Sequence, residues 1–491
     1  MKLFLIRKEH NKKMKCLFIN PCFPRPFVNE SAGLTNRFRQ PLDLAYPAAV
    51  LEKEGYDVNI IDANVLRLNL SQMKKIILNK KPEVVVITTS PIDRWQCPYL
   101  DISAAINTVN LIKNSVSSVK VILTGPHGTV TPEWLFKQSN NIDFVIRGEP
   151  EITILELMNN LEKKDKFTTV NGLSYRHNDV INHYRDRSLI ENLDELPFPA
   201  YHLLPMNKYE EGIFKNLKPV SIVLTSRGCP YKCVFCLKCM YGDKYRNRSP
   251  QNVINELELL VKEFQVKAIY FQDLEFVFDT NRTKEICESI NDKKLKFKWA
   301  CSARVDRIDG KLLKIMKKAG CVQINYGVES GSQKILNFSK KGINIKKIKE
   351  TFKMTKENGI KPEAFLLIPL PGEKISTIKE SIKFSIETDL LIGGNPPIPY
   401  PGTKLFELAC EEAGRTLNWS ELEIVAGTVG TDLIKNLGKN YKAIIAKTYL
   451  VEKYGRYYLF NPKFYNDSLK NILDGRRNIR DYFRYLKSFL R

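Results

Sequence analysis

Three cysteines, Cys229, Cys233 and Cys236 in the run TSRGCPYKCVFC, constrain this chain more than any other feature. The Cys-x3-Cys-x2-Cys spacing puts three thiolates on one loop, one fewer than a cubic iron–sulfur cluster needs. Clusters whose only task is electron transfer take four cysteine ligands. A set of three leaves one iron open, which is the arrangement expected when the cluster must touch a small molecule. Residues 220–225 (VSIVLT) read as a buried strand, so the triplet lies on the loop leaving that strand. A competing reading pairs Cys236 with Cys239 as half of a zinc site. The next cysteine downstream is Cys287, so no second pair follows nearby. Cys239 reads as a bystander or a spare ligand.

At 491 residues the chain has room for two or three domains, and 43% hydrophobic with 27% charged residues fits an ordinary folded protein. Eleven cysteines, most of them scattered through apolar segments, fit a reducing compartment better than a disulfide scaffold. No apolar run reaches the length of a membrane span. The opening MKLFLIRKEHNKK has too few consecutive apolar residues for a signal peptide. A cytoplasmic location is expected. The net charge of +23 first raises nucleic acid as a partner. The lysines are spread along the whole chain and no nucleic-acid module is evident, so RNA or DNA is not the expected partner. An anionic membrane surface stays open.

Residues 14–161 alternate strands with helices. The strands read KCLFIN, YDVNIID, EVVVITTS, VKVILTG and DFVIRGE. Near-continuous apolar strands separated by helical stretches predict a parallel, doubly wound α/β sheet covered on both faces, a Rossmann-like domain. Ligands on such sheets bind at the carboxyl ends of the strands. Those ends carry Asn20, Asp62, Thr88, Ser90 and Gly125, with His127 just beyond. Residues 162–218 form a connector whose GLSYRHNDVINHYRD segment predicts a hairpin turning at Asn178 and Asp179. Alternation resumes over 219–430 as VSIVLT, VKAIYFQD, FKWACSAR, CVQINYGVES, KPEAFLLIPLP and DLLIGGNPP, six strand–helix units. In barrels of this kind chemistry collects at the strands' C-terminal ends. There Asp273 ends YFQD, Arg304 supplies a fixed cation suited to a carboxylate, and Gly327 lets the backbone approach a ligand. Residues 431–491 form a helical tail. From Tyr441 onward it has twelve basic residues against four acidic ones, interleaved with Tyr and Phe.

The cysteine triplet, YGVESG at 326–331, LIPLPGE and PYPGTKLFELA, in this order, resemble the radical S-adenosylmethionine (SAM) superfamily and its partial (β/α)6 barrel. The resemblance implies a 4Fe–4S cluster whose open iron chelates SAM, and an electron that splits the sulfonium to a 5′-deoxyadenosyl radical. It implies metal ligation by Cys229, Cys233 and Cys236. It places Phe235 where the loop backbone meets the adenine, Glu329 and Ser330 near the SAM amino group or ribose, Asp273 at an acidic position, and Pro369 on a family loop. Residues 14–161 resemble the cobalamin-binding domain that precedes many such barrels, through LAYPAAVLEKEGYDVNIIDA, ILTGPHGTVTPE and DFVIRGEPEIT. One departure stands out: the D-x-H-x-x-G signature that supplies a histidine to cobalt is absent, and the first loop reads PCFPRPFVNESAG. Cobalamin is therefore expected to bind without that histidine, and His127 to bond backbone groups.

The resemblance implies a cobalamin-dependent radical SAM methyltransferase acting on an unactivated carbon. The anaerobic porphyrin cyclases, which use the same radical for ring formation or oxidation, share the resemblance. No individual catalytic residue is assigned. Methylthio transfer to tRNA would need three more cysteines in the first domain. Cys16, Cys22 and Cys97 number three, but two lie six residues apart. A non-catalytic corrinoid or cluster sensor is the alternative of another class; a complete triplet together with Glu329 and Arg304 argues against it. Implied partners are a small-molecule, lipid or tetrapyrrole substrate and an electron donor such as ferredoxin or flavodoxin. The tail reads as a helical cap packed on the barrel, with a membrane-surface helix or a lid over a greasy substrate as competing readings.

Overall fold

The computed structural model describes residues 13–23, 37–163, 169–214, 216–390, 396–432, 441–454 and 461–473. Five strands of the N-terminal part, β1 (Lys15–Asn20), β2 (Asp57–Asp62), β3 (Val84–Thr88), β4 (Lys120–Thr124) and β5 (Phe144–Ile146), run parallel in the order β2-β1-β3-β4-β5. Successive side chains on a strand face opposite ways, and this splits the core in two. Leu17, Ile19, Val85 and Ile87 pack with the helices Leu70–Lys80 and Ser103–Ser115. Cys16, Phe18, Val84 and Val86 pack with the helices Leu42–Lys53 and Pro150–Lys163. Both faces are covered, which is why the strands read as apolar throughout.

The expected hairpin forms from β6 (Leu173–His177) and β7 (Val180–His183), with Asn178 at φ +47° and Asp179 at φ +61°. Two successive positive φ values match the twist of the flanking strands. Strand β6 also pairs antiparallel with β5, so the hairpin extends the first sheet to seven strands.

A second sheet holds β8 (Val220–Val223), β9 (Ala268–Phe271), β10 (Lys298–Ala303), β11 (Cys321–Glu329) and β12 (Lys361–Leu366), parallel and in chain order. These are the first five expected strands. The sixth, DLLIGGNPP, falls largely on 391–395, outside the described residues. Helices alternate with the strands. The helix Pro250–Lys262 starts as its sequence predicts, with Ser249 accepting the Asn252 N–H and Pro250 in the first turn. Trp299 is fully buried, and its Nε1 donates to the Ala319 carbonyl at 2.8 Å.

The two sheets meet through polar as well as apolar contacts. Gln40 lies along the open edge of β8, donating from Nε2 to Val220 O at 2.8 Å and accepting from Ile222 N at 3.0 Å. It satisfies edge groups that would otherwise be buried without partners. In the tail, the helices Tyr441–Tyr454 and Pro462–Leu473 bury Ile445, Tyr449, Leu450 and Phe464 in the barrel core. A packed helical cap is thus present; the segment DYFRYLKSFLR lies outside the described residues.

Gly128, in the short helix Pro126–Val130, meets β5 so closely that an added Cβ would run into Val145 Cγ1 and stand 3.2 Å from Leu135 Cδ2. Gly128→Ala is expected to destabilise the chain by about 1–3 kcal/mol through overpacking, read as a lower midpoint in thermal unfolding. An unchanged midpoint would mean that this helix floats on the sheet.

Candidate active site

The cysteine loop leaves β8 and is closed by a two-residue antiparallel ladder, in which Ser226 pairs with Asn247 and Arg227 with Arg246. Gly228, at φ +81°, stands so close to the Lys244 carbonyl that a Cβ would collide with it. Inside the loop, Cys229 N donates to Gly242 O at 3.3 Å and Cys236 N to Cys233 O at 3.3 Å. Lys238 Nζ donates to the carbonyls of Cys229 (3.0 Å) and Tyr231 (2.8 Å). The three cysteines are free and half-buried. Burial pushes the Cys236 thiol up to about 12, and the neighbouring Cys233 and Cys229 push it further while Lys341 and Lys238 oppose them.

A thiol raised by burial and by its neighbours in this way favours uptake of positive charge. Among the described residues, no three His, Cys, Asp or Glu side chains close around a single ion. A cubane takes one thiolate on each of three irons, so a loop of three neighbouring thiols fits a cluster. Cys239 packs with apolar side chains of the barrel and of the Tyr400–Trp419 group, and burial pushes its thiol up to about 12.

Beside the triplet stands a group of buried charges. Lys341 Nζ pairs with Glu329 Oε1 at 2.9 Å, both nearly buried, and Glu329 takes φ +69°. A Cβ on Gly327 would lie 2.6 Å from Lys341 Nζ and 2.8 Å from Glu329 Oε1. A Cβ there would push these two flexible side-chain ends aside, so the glycine lets the ion pair sit against the strand. Arg304 is held by Asp306 (3.0 Å from both Nε and Nη2) and by the Lys341 carbonyl (2.8 Å), and its guanidinium lies 3.7 Å over the Tyr231 ring in the cysteine loop. Glu275 accepts the Arg304 N–H at 3.1 Å, and burial pushes its carboxyl up to about 7. Lys341 and Glu275 escape the sequence reading. Glu275 could be found two residues beyond Asp273 at the same strand end. Lys341 sits on a loop whose contact with Glu329 is tertiary, and no local pattern announces it.

The other expected residues back this group. Asp273 accepts from Thr225 N (3.2 Å), Thr225 Oγ1 (2.8 Å) and Ser226 Oγ, bracing the turn that leads to the cysteines. Ser330 Oγ donates to Glu373 Oε1 at 3.4 Å and lies 3.3 Å from Ser381 Oγ. Burial pushes Glu373 up to about 8, and its Oε2 has no partner among the described residues. Pro369 is buried beyond β12. The partly buried Phe235 side chain packs against the apolar cluster that contains Leu237, Tyr400 and Trp419.

At the C-terminal edge of the first sheet, Asn20 Nδ2 donates to Asp62 Oδ1 at 2.9 Å and Tyr209 OH to Asp62 Oδ2 at 2.8 Å. Burial pushes Asp62 up to about 6. Thr88 Oγ1 donates to the Ser90 carbonyl at 2.8 Å, and Ser90 Oγ accepts the Tyr99 N–H at 2.9 Å. Gly125, at φ +117°, sits so close to Thr89 that an added Cβ would stand 2.8 Å from Thr89 Oγ1. Three polar atoms there, Asn20 Oδ1, Asp43 Oδ2 and Thr124 Oγ1, are buried without a partner among the described residues. Such orphans fit a ligand rich in carboxamide donors and acceptors. His127 is engaged through both ring nitrogens, Nδ1 with Thr89 Oγ1 at 3.0 Å and Nε2 with the Tyr99 carbonyl at 2.8 Å.

The two edges are pressed together. Trp95 contacts the cysteine loop at Tyr241, with ring centroids 4.9 Å apart. Thr129 Oγ1 lies 3.2 Å from Met240 Sδ, Tyr400 OH donates to Pro98 O at 3.1 Å, and Trp419 Nε1 to Thr131 Oγ1 at 2.8 Å.

Known proteins share this pairing. The radical SAM superfamily profile matches residues 223–385, and the B12 binding domain profile matches residues 38–158. An uncharacterized methyltransferase of Pyrococcus horikoshii is 35% identical over 412 residues, 83% of this chain and 86% of that one. The chain belongs to the radical SAM superfamily, in the group that carries a B12-binding domain. The anaerobic magnesium-protoporphyrin IX monomethyl ester cyclase of Rubrivivax gelatinosus is 30% identical, over 76% of this chain and 65% of its own length. The radical SAM methyltransferase TsrM of Kitasatospora setae, solved with cobalamin and a 4Fe–4S cluster, has the same fold at a TM-score of 0.66 and 17% identity, covering 82% of this chain and 76% of that one. This protein is therefore a radical SAM enzyme, of a family whose cofactors are a 4Fe–4S cluster and SAM, and it carries a domain of the B12-binding family.

Burial pulls the His127 imidazole down to about 4, below its ordinary value of about 6.5. The unfolded chain then binds the extra proton first, so His127 contributes stability above about pH 6.5 that is lost as pH falls toward 4, on the order of 3 kcal/mol. His127→Gln is expected to flatten the pH dependence of unfolding in that window. An equal slope in both proteins would contradict the buried neutral imidazole.

Proposed function

We propose that this enzyme methylates an unactivated carbon of a large substrate, apolar or partly anionic, such as an isoprenoid lipid or a tetrapyrrole. The observation that carries the reading is the apposition of the cysteine loop to the strand-end loops of the first sheet, through Trp95–Tyr241 and Thr129–Met240. When bound, the cluster and SAM supply a carbon-centred radical and the corrinoid supplies the methyl group.

The chain's own residues do the holding and the shielding. Cys229, Cys233 and Cys236 would hold the cluster and leave one of its positions open to SAM. The Glu329–Lys341 pair and Arg304 would offer fixed charges to the amino and carboxylate groups of SAM, and Gly327 gives that pair its room beside the strand. Glu275, near its own midpoint at neutral pH, can hold a proton beside them. Trp95, Leu237, Met240, Tyr241 and Leu274, with Gln96 and Lys238, line a narrow gap between the two edges. At the other edge, the Asn20–Asp62 pair, Thr88, Ser90 and Gly125 would receive the corrinoid. An electron donor such as ferredoxin or flavodoxin would supply the electron. No helix among the described residues is long and apolar enough to cross a membrane; a cytoplasmic enzyme touching a membrane surface through its basic tail is part of this proposal. The cyclase relative supports a second reading, in which the same radical closes a ring without methyl transfer.

Three measurements test this. Anaerobically reconstituted protein should hold about four irons and four sulfides. Alanine at Cys229, Cys233 or Cys236 should abolish reductive SAM cleavage, and Cys239→Ala should spare it. An equal loss at Cys239 would undo the open-iron assignment. Bound cob(II)alamin should show no axial nitrogen splitting in electron paramagnetic resonance, because both nitrogens of His127 are engaged. A protein that takes up no corrinoid would remove the methyl-transfer reading.

A further inference from the structure

The two cofactor edges are joined by a buried lattice of four charges, and this lattice has a consequence for catalysis. Glu149 and Glu151 follow β5 at the start of the helix Pro150–Lys163, and Arg227 and Arg246 face each other across the ladder that closes the cysteine loop. Glu149 Oε1 accepts from Arg227 Nη1 at 3.0 Å and from Arg246 Nη1 at 2.9 Å. Its Oε2 accepts from Arg246 Nη1 at 3.0 Å and from the Ile190 N–H at 2.7 Å. Glu151 Oε1 accepts from Arg227 Nη2 at 2.6 Å. All four residues are buried, with Glu149 the most exposed at 4%. The Arg227 guanidinium also lies 5.3 Å from the Tyr46 ring and 5.0 Å from the Tyr241 ring.

Two cations and two anions balance, so the lattice carries no net charge into the interface. A buried ion network is weak evidence for stability, and its best-supported use is to fix register. Domains of one chain move relative to each other by default unless something prevents it. Apolar walls such as Trp95–Tyr241 can slide, whereas bonded buried carboxylates cannot shift without stranding a charge. Catalysis across two cofactors is sensitive to placement, since an error on the order of 1 Å can cost about 100-fold in rate.

We propose that Glu149 is a positioning residue for transfer between the two cofactor sites: by bridging Arg227 and Arg246 it locks the first sheet to the cysteine loop and fixes the separation of cobalt and cluster. This rests on the corrinoid reading above. The test is pulsed dipolar spectroscopy on full-length protein loaded with cob(II)alamin and reduced cluster, together with iron and cobalt content. The native protein should give one narrow distance distribution. Glu149→Gln should broaden or shift it with both cofactors still bound, and the yield of methyl transfer per radical formed should fall. If Glu149→Gln does not load, Arg246→Gln, which leaves Arg227 bonded to both carboxylates, should broaden the distribution relative to the native protein. An unchanged distribution in a fully loaded variant overturns this inference alone. A native protein that binds no cobalt overturns the corrinoid reading itself.

Discussion

Everything at this site depends on holding a loop that has little regular structure of its own. Between the two ladder pairs, Ser226–Asn247 and Arg227–Arg246, the chain must present three thiols in a fixed arrangement. It does so by bonds within the loop and to the strands around it. Asp273 braces the entry turn through Thr225 and Ser226, Lys238 gathers the carbonyls of Cys229 and Tyr231, and Arg304 lies against Tyr231. These bonds are made in a buried setting where an unpaired partner would be costly, so the loop has few alternatives. The strands supply the anchors because their C-terminal ends converge on one edge.

Desolvation sets the chemistry of the carboxyl groups around that edge. Burial pushes Glu275 to about 7 and Glu373 to about 8, because it disfavours the charged form of an acid. Glu329 pairs with Lys341 at 2.9 Å. The site thus combines a committed ion pair with carboxyls that can hold a proton near neutrality. On the first sheet the same effect acts on Asp43 and Asp62, pushed to about 7 and about 6. Neither edge needs a charged group open to solvent, in keeping with surfaces that meet bulky cofactors.

The architecture is legible in the sequence because it rests on patterns repeated along the chain. Apolar strands alternating with helices announce both parallel sheets, and Asn178–Asp179 announces the hairpin. Which edge the hairpin joins cannot be read: β6 pairs with β5 through backbone bonds that no side-chain pattern encodes. The cysteines, Arg304 and Glu329 stand out through chemistry and spacing. Lys341 does not, because its pairing with Glu329 is made by a distant loop. Gly327 reads as room for a ligand, whereas its neighbours are that ion pair. At the first sheet, Asn20, Asp62, Thr88 and Ser90 stand at the strand ends where the sequence puts them. Their hydrogen bonds to Tyr209, Tyr99 and one another depend on segments remote in sequence.

The central claim is that the cluster held by Cys229, Cys233 and Cys236 keeps one iron open for SAM. The most direct measurement is the electron paramagnetic resonance spectrum of the reduced cluster before and after SAM is added. The account predicts a clear change in the spectrum on addition, seen equally in Cys239→Ala protein. A spectrum that SAM leaves unchanged, with full iron content, would contradict it.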